Sequence, residues 1–320
     1  GNALSELSEN GHLSTGVPGT VAGLFATLPY AKLSFDQLIE PAILLAEHGF
    51  AITEEQAEEF NETKADFLKY NTMKVAFVKI TNWKAGDTLY QPELAATLKR
   101  IRDNGAKGFY EGETAALIVA EMKRANGIIS MEDLKNYQAK LREPIISDYR
   151  GYTVIGFPPP SSGGIIVSQM LTMIAPFPMK KYGYGSVEAM HLMIEAERRA
   201  FADRAEYMGD PDFWKVPQKT LLSKEYLSGR MKDFDTQKTS VSKNIHAGEI
   251  HESDETTHIS IIDAEGNMVS ITTTLNNSYG SKTVVGSAGF ILNDEMDDFS
   301  MKPGVPNMYG AIGGAANAIA

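Results

Sequence analysis

"SDETTHISIIDAEGNMVSITTTLNN", residues 253–277, changes the period of the chain from helical to alternating. Ile259 and Ile261 fall on one side of a strand, with Thr256, His258 and Ser260 on the other. After "DAEGN" the alternation resumes. Val269, Ile271, Thr273 and Leu275 share one face, and Ser270, Thr272, Thr274 and Asn276 the opposite one. If residues 263–267 form the loop, Ile262 meets Met268, Ser260 meets Ser270, His258 meets Thr272, and Thr256 meets Thr274. The register predicts a hairpin with an oily face for burial and a hydroxyl-rich face, and it puts one threonine hydroxyl across from another.

Such a face has two readings. Threonine is a good strand former, and cross-strand threonine pairs are ordinary on solvated surfaces. Alternatively, Thr256 is an N-terminal nucleophile. Its Oγ attacks once its own α-amine is freed to act as base, and an α-amine titrates near neutrality. Residue 256 is internal, so that chemistry requires a cut between Glu255 and Thr256, which the same hydroxyl can make by attacking the Glu255 carbonyl.

Upstream, the punctuation is helical. Ser34 with Gln37 and Thr53 with Gln56 form capping boxes, the first before "FDQLIEPAILLAEHG" with Gly49 as its stop. Pro41 suggests a kink or two short helices there, and the Thr53 helix is expected to run to about Tyr70. Pro92 suits the first turn of "PELAATLKRIRDNG" and Ser130 caps "MEDLKNY". Residues 144–157 predict two short strands about Arg150-Gly151. Helices are expected from Ser162 to Ile174 and from Ser186 to Met208; the Met and aromatic positions of the latter read as core packing. Helices first and strands later predict an α+β fold.

The chain has 320 residues, 43% apolar and 22% charged, with a net charge of −11. That charge argues against nucleic acid as a partner. Absence of cysteine excludes a thiolate metal site, a disulfide and a cysteine nucleophile. No apolar run is long enough to span a bilayer. Both ends read as cut, in keeping with a processed form or an incomplete reading frame.

Several stretches carry a resemblance: "TTHISIIDAEGNMVSITTTLNNSYGS", "GFILNDEMDDFS", "KPGVPNMYGAIGG", "STGVPGTVAG" at 14–23, "FPPPSSGG" at 157–164 and "ADRAEYMGDPDF" at 202–213. Together they closely resemble the γ-glutamyltransferases (γ-glutamyltranspeptidases) of the N-terminal-nucleophile hydrolase superfamily, from about residue 14 to the end. The resemblance implies a four-layer αββα sandwich, incomplete in this stretch. It implies a precursor that cuts itself before Thr256, so that residues 1–255 belong to a large subunit and 256–320 begin a small one. Thr256 then takes the γ-glutamyl group of glutathione or another γ-glutamyl compound, and water, an amino acid or a peptide receives it. Thr274 matches the threonine that hydrogen-bonds the nucleophile. Asn276, Glu295 and Asp298 match positions that hold the α-amino and neighbouring groups of the donor; some bacterial members carry glutamine at the position of Glu295. No cofactor or metal is implied, and export to the periplasm or cell exterior is expected.

The residues bear other readings. "NDEMDD" is a solvated acidic turn, a seat for an ammonium, or a metal site, though it lacks the spacing of a calcium loop. His246, His251 and His258 match no zinc pattern, and His258 reads as a structural, hydrogen-bonded histidine. "PPPSSGG" lacks the lysine of a phosphate loop and reads as scaffold, with Ser161 or Ser162 capping the next helix. Alternative functions are a related amidase or acylase, or a non-catalytic scaffold or binding module. The family's serine pair and glycine-glycine oxyanion loop are expected beyond Ala320, and its carboxylate-binding arginine before Gly1. Such a truncated chain is expected to turn over little substrate on its own.

Overall fold

A computed structural model describes residues 5–245, 257–302, 304, 305, 307, 308 and 313–318. Helices and short antiparallel strands both occur, in an α+β arrangement. Two compact units divide the chain, and neither is continuous in sequence. One holds the described residues of 4–140 and 254–298, the other those of 141–253 and 299–320.

In the unit that carries the hairpin, the sequence punctuation works as expected. Both capping boxes form, at Ser34 and Thr53, and Gly49 ends the first helix with φ +77°. That helix, Phe35–His48, continues through Pro41 as one element. The next is divided: Glu54–Glu62 and Lys64–Tyr70 meet at Thr63, whose hydroxyl donates to the Glu59 carbonyl at 2.6 Å. A threonine that bonds back to its own helix in this way favours a bend. Helices Pro92–Asn104 and Gly112–Arg124 bury Ile101, Ala115, Ile118, Val119 and Met122 against Val285, Ala288 and Leu292. A second cluster gathers Phe60, Phe67, Phe77 and Trp83 with Val284. The two-residue strand Val284–Val285 is buried on both sides, and alternation sends each valine into a different cluster. It pairs with strand Phe290–Ile291, after which the chain enters the acidic turn.

The hairpin, Thr257–Ile262 with Met268–Thr273, has the predicted register, from Ile262 opposite Met268 to His258 opposite Thr272 and Thr257 opposite Thr273. The five-residue loop is fixed by Asp263, whose Oδ1 accepts the N–H groups of Glu265 and Asn267, and by Gly266 at φ +84°. The expectation of a buried oily face is not met. Ile259, Ile261, Val269 and Ile271 are all exposed, as is every other residue of both strands, so neither face of the hairpin is covered by the described residues.

In the other unit, strands Ile145–Tyr149 and Tyr152–Gly156 pair around Arg150 and Gly151, both with positive φ, the geometry a two-residue hairpin turn needs. Helices Gly163–Ile174 and Val187–Tyr207 cover a core of Ile145, Ile165, Met173, Leu192, Ala196 and Ala200. The "SSGG" stretch is scaffold. A Cβ at Gly164 would stand 2.2 Å from the Phe157 carbonyl oxygen, so the close approach of strand to helix requires glycine. Ser161 Oγ accepts the Gly163 N–H at 3.3 Å. In the "GDPDF" stretch, Asp212 takes a two-pronged bond from Arg142. The reading of helix Val187–Tyr207 holds for its aromatics, since Phe201 and Tyr207 pack against the core, but not for Met190 and Met193, which are exposed; the buried stripe is mainly alanine with Leu192, Glu195, Arg199 and Asp203. Small alanines let the helix pack closely, and the opposite charges of Glu195 and Arg199 enter the core together.

Candidate active site

Thr256 lies outside the described residues, as do His246 and His251. Thr274 and Asn276 do not continue the hairpin strand as the alternation predicts, because it ends at Thr273; they stand on the segment that follows it, and Glu295 and Asp298 on the 3-10 turn Glu295–Asp298.

Thr274 comes just after the second hairpin strand, and its Oγ1 accepts the Asn276 N–H at 2.9 Å. Asn276 has φ +77°, a conformation asparagine tolerates better than most residues. It is buried, and its Nδ2 donates to the Asp294 carbonyl at 3.1 Å. Asp294 N–H in turn donates to the Leu275 carbonyl at 3.0 Å, and its Oδ1 accepts the Asn277 N–H at 3.0 Å. Residues 274–277 and 293–298 are thereby locked side by side, which brings Thr274, Asn276, Glu295 and Asp298 into one neighbourhood. His258 sits on the hydroxyl face of the hairpin and bonds Thr272 at 2.8 Å, Ser270 at 3.0 Å and Ser260 at 3.2 Å, as a structural histidine does.

The acidic turn is not a freely solvated one. Asp294 and Asp297 are wholly buried, and Ser8 Oγ donates to Asp297 at 2.6 Å. Burial pushes the Asp294 carboxyl up to about 6, against the opposing pull of the Asn277 N–H and the charge of Lys282. Asp294 Oδ2 is buried and has no hydrogen-bond partner among the described residues. Burial, then the charge and hydrogen bond of Asp298, push the Glu295 carboxyl up to about 8. Two carboxyls in hydrogen-bond contact share a proton, because neither ionised group is a donor. Chemically the turn is a partly dry carboxyl cluster, suited to a cation that brings several N–H donors.

Sequence reasoning did not single out Asn293. Its Oδ1 accepts the N–H groups of Gly16 and Glu295, and its Nδ2 donates to the Gly16 carbonyl, so it ties the acidic turn to the "STGVPGT" loop. The signal was present only as two quoted motifs. Lys282, also missed, is buried with φ +59° and donates to the Gly280 carbonyl at 2.9 Å.

Comparisons with known proteins identify the family. The chain is 45% identical to the glutathione hydrolase proenzyme of Escherichia coli (strain K12), with 100% of the chain and 56% of that protein aligned. The chain therefore spans little more than half the length of that relative. Among solved structures it is similar to Helicobacter pylori γ-glutamyltranspeptidase, at 43% identity and a TM-score of 0.74, covering 79% of this chain and 74% of that one. It is also similar to cephalosporin acylase from Bacillus halodurans, at 25% identity and a TM-score of 0.80, covering 97% of this chain and 57% of that one. The sequence signature described as gamma-glutamyltranspeptidase matches residues 1–320, and the chain belongs to that family.

Proposed function

We propose that this chain is part of a precursor that cleaves itself between Glu255 and Thr256 and then transfers or hydrolyses γ-glutamyl groups from glutathione and related compounds. Residues 1–255 then belong to the large subunit, and 256–320 begin the small one. The observation that carries the reading is the seat formed by Thr274, Asn276 and the Glu295–Asp298 carboxyl pair. It suits an α-amino group, and it lies next to the strand on which the nucleophile is proposed. The alternation read from the sequence pairs position 256 with Thr274.

The groups dictate the steps. Thr256 Oγ adds to the Glu255 carbonyl, the peptide shifts to an ester, and water opens it to leave a carboxylate and a free α-amine. That amine takes the proton from Oγ as the oxygen attacks the donor's γ-carbonyl. The proton passes to the departing amine, and an acyl ester remains on Thr256. Water or an acceptor amine attacks the ester, and Oγ recovers a proton. Thr274 hydrogen-bonds the nucleophile, Glu295 and Asp298 hold the donor's ammonium, and Asn276 holds a neighbouring group. No cofactor takes part. The complete protein is proposed to form the four-layer αββα sandwich and to work in the periplasm or outside the cell.

Likeness to a cephalosporin acylase supports a second reading, in which the acyl group differs. The carboxyl pair favours an acyl group bearing an amine, so competition by glutamate analogues separates the two. The primary test is the intact mass of the full-length precursor. Wild type is expected to yield two chains split before Thr256, and Thr256→Ala a single uncut chain. Cleavage of the alanine variant at the same bond would refute the mechanism.

A further inference from the structure

Two consecutive residues at the head of the acidic turn reach to different segments of the chain. Asp294 holds the segment that leaves the hairpin: its N–H donates to the Leu275 carbonyl, and its Oδ1 accepts the Asn277 N–H. Asn293 reaches instead to the "STGVPGT" loop of residues 14–20. Its Oδ1 accepts the Gly16 N–H at 2.9 Å, and its Nδ2 donates to the Gly16 carbonyl at 3.0 Å. The same Oδ1 accepts the Glu295 N–H at 3.1 Å.

One side chain therefore holds both backbone groups of Gly16 and the first N–H of the turn Glu295–Asp298. Asn293 is buried, a setting in which such bonds are strong and costly to leave unmade. An amide suits the place because it carries a donor and an acceptor together. Aspartate lacks the donor, and a serine hydroxyl is too small to span both Gly16 groups. The loop also lies close to the carboxyl pair. A Cβ on Gly16 would stand 3.6 Å from Glu295 Cβ, at ordinary contact distance. Glu295 and Asp298 share one short turn, so their spacing is set locally. Where the pair stands relative to Thr274 depends on how that turn is anchored. Asp294 anchors it to the segment after the hairpin, Ser8 ties it at Asp297, and Asn293 fixes its start to Gly16.

We propose that Asn293 is a positioning residue for the donor's α-amino group: it locks the Glu295 backbone to Gly16 and so sets where the carboxyl pair meets the ammonium. This rests on the γ-glutamyl reading above. Asn293 acts through Glu295 and not as a further acceptor for the ammonium, because both lone pairs of its Oδ1 are taken by N–H groups. Without the amide, the Glu295 N–H and both Gly16 groups lose their partner, and the turn shifts to find others. A bond between an ammonium and a carboxylate is at its best near about 2.7–2.9 Å, so a shift of a fraction of an ångström weakens it. The γ-carbonyl end of the donor does not depend on this anchor.

The test compares two donors on the matured full-length enzyme. One is a chromogenic γ-glutamyl anilide; the other is the glutaryl anilide, which has hydrogen in place of the α-amino group. Wild type is expected to prefer the amine-bearing donor in kcat/KM. In Asn293→Ala, KM for the γ-glutamyl anilide should rise about fivefold or more, and the preference should shrink by a like factor. KM for the glutaryl anilide should stay at its wild-type value. A merely structural lesion lowers Tm and the folded fraction, which scales kcat and leaves both KM values and the preference alone. Asn293→Ser, whose hydroxyl still reaches the N–H two residues on, should recover part of the loss, and it decides the matter if the alanine variant does not mature. Wild-type KM and preference in either variant overturn the proposal. Loss of folding in both makes Asn293 a structural residue and overturns it as well. A wild-type enzyme with no preference for the amine defeats the γ-glutamyl reading of the seat and this proposal together, whereas a wild-type preference that the variants keep defeats the proposal alone.

Discussion

Replacing Glu295 by glutamine should remove a proton from the binding equilibrium of the γ-glutamyl donor. In the empty site the Glu295 carboxyl is pushed up to about 8 by burial and by Asp298. At pH 7 about one site in eleven then carries the ionised pair, and at pH 6 about one in a hundred. A donor ammonium needs that ionised pair, so its arrival expels one proton. Below about pH 7 the donor's own amine stays charged, since α-amines titrate near 7.7–8.0. The apparent KM should therefore fall about tenfold from pH 6 to pH 7, while kcat rises separately as the Thr256 α-amine loses its proton in both wild type and variant. In Glu295→Gln, the amide still accepts a hydrogen bond but has no proton to release, and KM should be nearly flat over the same range. The assay is steady-state turnover of a chromogenic γ-glutamyl anilide by the matured full-length enzyme between about pH 5.5 and 7.5, a window that brackets the change. A wild-type KM that does not move between pH 6 and 7, or a glutamine variant that keeps the slope, would refute the reasoning. The same shift has a stability side. A carboxyl whose value is raised in the fold lends stability that is fully present below its ordinary value of 4.5 and is lost as pH rises through about 8. Glu295→Gln should flatten that alkaline loss in a urea titration.

Three further outcomes are expected. Ile118→Ala empties a fully buried position between two helices and should cost about 2–5 kcal/mol by urea denaturation; a loss under about 1 kcal/mol would mean that the core around it is loose. Arg199→Met alone leaves buried Glu195 with only the longer, 3.9 Å contact to Arg198 and should cost about 3–5 kcal/mol near neutrality. Because the Glu195 carboxyl is held below the ordinary range, that stabilisation is present above it and fades as pH falls through the lowered value, so the variant's acid limb should be flatter than wild type. Gly209→Ala would set a Cβ 2.2 Å from the Ala316 carbonyl oxygen, and it should free the Gly314 N–H from the Ala205 carbonyl, visible as faster amide exchange at Gly314.

The hairpin was legible because its register depends on local chemistry. A five-residue loop closed by Asp263 and Gly266, and alternation on both strands, leave one consistent pairing. Helix ends at Ser34, Gly49, Thr53 and Ser130 were legible for the same reason: a cap is read from a few neighbouring residues. The break at Thr63 was not, since it turns on one side chain choosing a carbonyl of its own helix. Nor was the buried face of Val187–Tyr207. Its periodicity allows several faces, and small alanines beside a paired Glu195 and Arg199 look less apolar than exposed Met190 and Met193. Within the site, alternation in the sequence pairs Thr274 with position 256, whereas the roles of Asn276, Glu295 and Asp298 come only from the family resemblance. The bonds from Asp294 to residues 275–277, and from Asn293 back to Gly16, join segments far apart in the chain, and no local pattern announces them. The exposure of the hairpin's isoleucines is equally a matter of what packs on them, which alternation does not specify.

Val285, Ala288 and Leu292 complete a core whose other members, Ile101 to Leu134, lie far earlier in the chain. A ribosome adding about 5–20 residues each second needs roughly 8–30 s to cover the stretch from Leu134 to Val285. Throughout that interval Ile118, Met122 and Leu134 have emerged without the strand that seals them, and they offer an adhesive surface to any other nascent chain. The last pieces to arrive also carry the acidic turn, so the nascent chain gains its carboxyl cluster at the moment its core closes. Growth conditions that slow elongation between residues 140 and 280 should therefore raise the demand for chaperones, with no change in the finished protein.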